Sequence, residues 1–170
     1  MSETVEVRIL QLPLDIWART DERMDGLMRE FTLVAASEAQ GGEAHVPRQL
    51  MALIEELQRD YAPLTANQEA QLSDAAGAGD DTIDLVYHVP AGVSEACARL
   101  DEALDDADAY CRAGEHLLSL APEPDEVAFR RWYLEEFVRQ IDGHPPRPWP
   151  QWAAEHPGGL GAAGPSSGHP

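Results

Sequence analysis

The chain contains no lysine; all 12 of its basic residues are arginines, set against 31 acidic residues, for a formal charge of −19. So negative a balance repels phosphate backbones and anionic lipid surfaces, which argues against nucleic acid or a membrane as partner and favours a basic protein surface. A solubilising or salt-adapted surface explains the same charge equally well. Apolar runs are short, none near the ~20 residues a bilayer crossing needs, and nothing around Met1 reads as a basic, then apolar, then small-residue leader. Cytoplasmic localisation is the expectation. Cysteine is scarce: Cys97 and Cys111 are separated by roughly 21 Å on one expected helix, at about 1.5 Å per residue, beyond disulfide reach. Both are expected to be reduced core residues.

Chemical motifs are missing as well. No GxxxxGK[ST] or post-strand GxGxxG is present, and the GAG at Gly77 to Gly79 precedes a strand, the wrong side for a helix-terminus phosphate site. The single asparagine, Asn67, leaves no kinase-type ATP box. No serine lies in GxSxG, and neither cysteine has a histidine spaced to activate it. The nearest thing to a metal group is Asp108, Cys111 and Glu115 with His116 beside them. It mixes an apolar-stripe residue with one pointing away, and a solvated helix end describes it better. No cofactor, metal or catalytic activity is expected.

What is present is helical periodicity. The stretch Thr82 to Leu120 begins as a strand, passes Pro90 and becomes a helix on which Val93, Cys97, Leu100, Leu104, Ala107, Cys111, Gly114 and Leu118 share one face. The other face carries Asp101, Glu102, Asp105, Asp106 and Asp108. Earlier, Val5, Val7 and Ile9 alternate with Glu6 and Arg8, predicting a strand over Thr4 to Leu12. Pro13 then opens a helix to about Ala39, with Gly41 and Gly42 as its stop. Pro47 to Tyr61 reads as a second helix ended by Pro63, and Thr65 as the cap of a short third one over Ala66 to Ala76. Asp125 to Ile141 returns to helical pattern along Val127, Arg130, Leu134, Phe137 and Ile141.

The fold class that follows is α/β and predominantly helical: two strand, long helix, helix units around a small sheet, with a disordered C-terminal tail. One domain over residues 1–142 is expected, with halves at 4–76 and 82–142. Residues 143–170, holding seven prolines and six glycines, are expected to be largely disordered. Ile9 to Pro13 and Val86 to Pro90 share an apolar-apolar-polar-apolar-proline order, which either a duplication or chance recurrence of strand, proline and helix explains. Two strands alone leave two open edges, to be covered by helices or by a second copy, so a homodimer is one expectation.

Two groups of candidate site residues result. Asp101, Asp105, Asp106 and Asp108 form an acidic stripe for a basic partner, and Trp149 and Trp152 in the proline-rich HPPRPWPQW stand as aromatic anchors for a partner's groove, unless Trp149 folds back on the domain. Trp17, Tyr87, Trp132 and Tyr133 would line a pocket between the two halves.

The segments VRILQLPLDIWARTDERMDGLMREF, CRAGEHLLSLAPEPDEVAFRRWYLEEFVRQI and PPRPWP resemble an uncharacterised bacterial family associated with partner-switching regulators: anti-sigma kinases, STAS-domain antagonists and serine phosphatases. The resemblance spans about Val5 to Pro150. It implies a regulatory setting with an anti-sigma kinase or STAS-domain protein as partner, and packing of PPRPWP on the domain. It transfers no functional residue. The expected function is a non-enzymatic cytosolic regulatory protein acting by protein–protein binding; the alternative is a small-molecule sensor.

Overall fold

A computed structural model describes residues 3–37, 45–113 and 122–157. Alternation puts every second side chain of a strand on one face, and β1 (Thr4–Pro13) buries Val7 and Ile9 completely while Glu6 and Arg8 face solvent. β2 (Thr82–Pro90) does the same with Leu85, Tyr87 and Val89. The strands pair antiparallel, Arg8 opposite Val86 and Ile9 opposite Leu85. Unbroken alternation would turn Leu12 outward. Instead the register shifts between Ile9 and Leu12, Gln11 takes a φ of 54°, and its N–H donates to Asp84 Oδ1 at 2.8 Å; this bulge returns Leu12 to the core.

Each strand ends at a proline and gives way to a long helix: α1 (Leu14–Ser37) after β1, and α3 (Val93–Ala113) after β2. With α2 (His45–Gly77) and α4 (Pro124–Ile141), the order is strand, long helix, helix, twice over, followed by the short α5 (Trp149–Glu155). α1 packs on α2 and α4, α3 packs on the same two, α2 lies beside β2 and α4 beside β1. The four long helices thus close a ring over the inner face of the strand pair. Its core includes Phe31, Leu50, Tyr87, Leu104, Trp132 and Phe137, each side chain of this kind stabilising the fold by about 1.5–3 kcal/mol on burial. On α3 the expected stripe packs inward from Val93 to Cys111. Gly114 and Leu118 lie outside the described residues, as do Gly41 and Gly42.

The open edges are met from within the chain. The Gln140 amide accepts from the Arg8 N–H and donates to the Arg8 carbonyl, both at 2.8 Å, while Gln68 Nε2 donates to the Val86 carbonyl at 2.7 Å. Because Arg8 and Val86 are register partners, the two glutamines cap opposite edges at one level of the ribbon. A second copy is not needed to satisfy those backbone groups.

Two sequence expectations require correction. Pro63 does not end a helix, and Thr65 does not cap one: α2 runs continuously through both. A proline deletes one backbone hydrogen bond, but here Leu50 and Leu53 before it and Gln68, Leu72 and Ala75 after it are all buried, so packing on both sides holds one helix together. The Thr65 hydroxyl instead donates to the Tyr61 carbonyl at 3.4 Å. The second correction concerns residues 143–157, which are ordered. Gly143, at φ 94°, turns the chain back after α4, a conformation that favours glycine, and α5 buries Trp149 and Trp152. The remainder of the expected tail, residues 158–170, lies outside the described residues. Among the described residues no helix is long and apolar enough to cross a membrane.

Candidate functional site

Asp101, Asp105 and Asp108 recur on one edge of α3, and that edge faces Arg130 of α4. The guanidinium donates to Asp108 Oδ2 at 2.9 Å and Asp105 Oδ1 at 2.7 Å, and its Nε stands 3.8 Å from Asp101 Oδ1, close enough for ionic attraction but not for a hydrogen bond. Arg131 adds a contact to Asp105 at 3.2 Å. The stripe expected to meet a partner is therefore largely engaged inside the chain, and Asp108 is only 7% exposed. Burial, and then the neighbouring Asp105, push the Asp101 carboxyl up, against the pull of Arg130. Asp105 and Asp106 are both exposed, but Asp106 has no ion pair among the described residues and lies in a groove of about 400 Å³ between α2 and α3 with Glu102, Glu56 and Arg99. One signal for Arg130 was legible: an arginine within an apolar stripe requires a carboxylate partner. In the metal-like group, Asp108 is held by Arg130, and Glu115 and His116 lie outside the described residues.

The expected aromatic anchors are also engaged within the chain. Trp149 stacks with Trp152 at 5.7 Å between centroids and meets Trp132 edge-on at 5.5 Å. Trp132 Nε1 donates to the Arg147 carbonyl at 2.8 Å. The Arg147 backbone N–H donates to Glu136 Oε2 at 3.0 Å, and its guanidinium reaches Glu135 at 3.0 Å and Glu155 at 3.2 Å. Glu136, fully buried, also accepts from Arg139 and Gln140. Packed this way, neither tryptophan can enter a partner's groove.

The four residues expected to line an inter-half pocket separate into two pairs. Trp132 is fully buried on the side of α4 that faces α5, and Tyr87 is buried in β2, its hydroxyl accepting from Tyr133 at 2.9 Å. Burial pushes the Tyr87 phenol up to about 12, and burial likewise raises the Tyr133 phenol well above its ordinary value. Trp17 and Tyr133, however, do share a pocket of about 210 Å³. α1 contributes Trp17 and Met24 to its wall, α3 Leu100 and Leu104, and α4 Phe129, Tyr133 and Leu134. The polar lining is sparse: Thr20 and Asp21 from α1, Glu69 from α2, and Arg130, already bound to its aspartates.

Asp21 and Glu69 make no ion pair or hydrogen bond among the described residues. Burial, and then the Asp25 carboxylate, raise the Asp21 pKa; burial, and then Asp21, raise that of Glu69. Sequence reading missed both, because two more carboxylates in so acidic a chain stand out only when they face an apolar wall. Leu100, Tyr133 and Leu134 also border a second cavity of about 150 Å³ on their far side, closed by Tyr61, Val93 and Cys97.

Compared with protein-family models, curated proteins and solved structures, the chain finds no significant match.

Proposed function

We propose that this chain is a small-molecule-binding regulatory protein whose ligand occupies the pocket where the two strand–helix–helix units meet. One observation carries the reading: all four long helices, two from each unit, contribute to one apolar pocket. Mostly apolar walls with a few convergent polar groups are what small-ligand sites have in common. The volume suits a compact metabolite. A ligand there touches both units at once, so its binding energy biases their relative placement, which is how a sensor acts. The polar groups facing it favour binding over chemistry, since Tyr133 is engaged by Tyr87 and Arg130 by its aspartates.

Thermal-shift screening of small metabolites tests this. A ligand at 100 times its dissociation constant adds about 2.7 kcal/mol, or about 5–10 °C for a chain of this size. Met24→Trp, which fills the pocket, should remove the shift. Stabilising ligands that ignore Met24→Trp, or none in a broad screen, would count against the reading.

A second reading, protein–protein regulation, keeps one support. Glu95, Glu102 and Asp106 remain exposed on α3 without an ion pair among the described residues, and complementary charge accelerates encounter with a basic partner. The sequence resemblance points to an anti-sigma kinase or a STAS-domain protein. Pull-down with each, using charge reversal of Glu102 and Asp106, is the corresponding test; unchanged capture would refute this face as the contact.

A further inference from the structure

The pocket reading above is the basis for a narrower statement about the ligand. Phe129 and Tyr133 stack at 6.2 Å between centroids, and together with Trp17 they give the pocket three aromatic rings. Asp21 and Glu69, one from α1 and one from α2, line the same space with no cation beside them among the described residues. Arg130, the cation in the lining, is already held by Asp105 and Asp108 and lies 3.8 Å from Asp101, so it does not offset them. The pocket is therefore apolar in its walls and negative in its field.

We propose that it binds a small hydrophobic ammonium ion, an aromatic or branched amine whose carbon skeleton packs on Trp17, Phe129, Leu104 and Tyr133 and whose charged nitrogen lies between Asp21 and Glu69. Three physical terms favour this ligand over its neutral and anionic counterparts. Ring faces attract cations. Two exposed carboxylates lining one pocket, close enough for Asp21 to raise Glu69, gain when a positive charge joins them. The remaining acids of the chain repel an anion on approach. The raised pKa values of Asp21 and Glu69 agree with carboxylates that lack such a partner.

Titration calorimetry on the full chain near neutral pH, with phenethylammonium, phenethyl alcohol and hydrocinnamate as probes, separates the alternatives, since the three differ mainly in head-group charge. The expected result is that the amine binds about tenfold more tightly than the alcohol and the carboxylate most weakly. In Asp21→Asn/Glu69→Gln, a pair of conservative replacements at exposed positions, the amine should fall to the affinity of the alcohol while the alcohol is unchanged. An alcohol that matches the amine, or a carboxylate that exceeds it, overturns the cation inference and leaves the pocket reading standing. Amine binding that survives Met24→Trp also overturns it, because the cation is then held elsewhere on the acidic surface. Absence of binding by all three overturns it too, and the pocket reading is then decided by the metabolite screen alone.

Discussion

Gln140 and Arg8 are joined through both ends of one side-chain amide, the oxygen accepting from the Arg8 N–H and the nitrogen donating to its carbonyl, each at 2.8 Å. A helix side chain thereby takes the place of a missing third strand. Replacing Gln140 by Leu leaves a backbone donor and acceptor without partners, at a cost of about 2–4 kcal/mol in urea unfolding. Hydrogen exchange at the Arg8 amide should quicken beyond the change in global stability. Unchanged exchange there would show that the amide does not seal the edge.

Arg130 predicts a second outcome. Arg130→Met strands Asp108, whose side chain is 9% exposed, beside Asp105 and Asp101, and should destabilise by about 3 kcal/mol. Adding Asp108→Asn should recover part of that loss, so a double-mutant cycle is expected to give a coupling of about 1 kcal/mol or more. Additive effects would mean that the pair interacts too weakly to organise α3 against α4.

The folded-back segment is tested at Trp149. Trp149→Ala removes a buried ring that touches Phe129, Trp132 and Trp152, and should cost about 3 kcal/mol. Near-ultraviolet circular dichroism should weaken with it. Full stability and an unaltered aromatic spectrum in this variant would return the segment to the role of a free anchor.

Protonation should act with opposite signs at two sites. Asp21 and Glu69 have raised pKa values in the folded chain, so what they contribute to stability is fully present below their unfolded values near 4 and is lost as pH rises through the folded values. Asp21→Asn should therefore stabilise near neutral pH and lose that gain in acid. Asp125 is held low, first by its hydrogen bond from Arg19, so its contribution is present above the unfolded value and disappears as pH falls through the folded one. Asp125→Asn should destabilise near neutral pH and have no effect in strong acid. These carboxylates are partly solvated, which limits each effect to about 0.5 kcal/mol. Melting curves of the two variants that shift in the same direction across pH would contradict the assignment.

Burial pushes the Cys97 thiol up to about 12 and also raises Cys111. Thiolate is the reactive form, so both should resist alkylation in the native chain and react on unfolding. Rapid native labelling of Cys97 would indicate that the α3 face opens more readily than its packing suggests.

The elements were legible wherever the sequence carries a local period. Val7 and Ile9 alternate, Val93 to Cys111 repeat at three and four, and Pro13 and Pro90 mark the change from strand to helix; both strands and the helices α1, α3 and α4 follow from such signals, and α2 was legible only as two shorter helices. Misreadings occurred where a local rule met a distant contact. Pro63 normally stops a helix, but burial on both sides carried α2 through it. Prolines around Trp149 suggested disorder, but Arg147 and the buried Glu136 hold that segment on α4.

The candidate site was less legible for a related reason. Trp17 and Tyr133 were expected in an inter-half pocket and do line one, whereas Tyr87 and Trp132 fill the core behind it. Asp101, Asp105 and Asp108 share a helix edge by spacing alone, yet spacing cannot say whether that edge meets water or an arginine on another helix. Net charge, helical periodicity and the strand-to-helix order are properties of neighbours along the chain, and the sequence by itself determined them. The pairing of Arg130 with its aspartates, the two glutamines on the sheet edges and the placement of Asp21 and Glu69 at the edge of an apolar pocket were decided by the tertiary structure, because charge and polarity acquire their energies only from what lies opposite them in space.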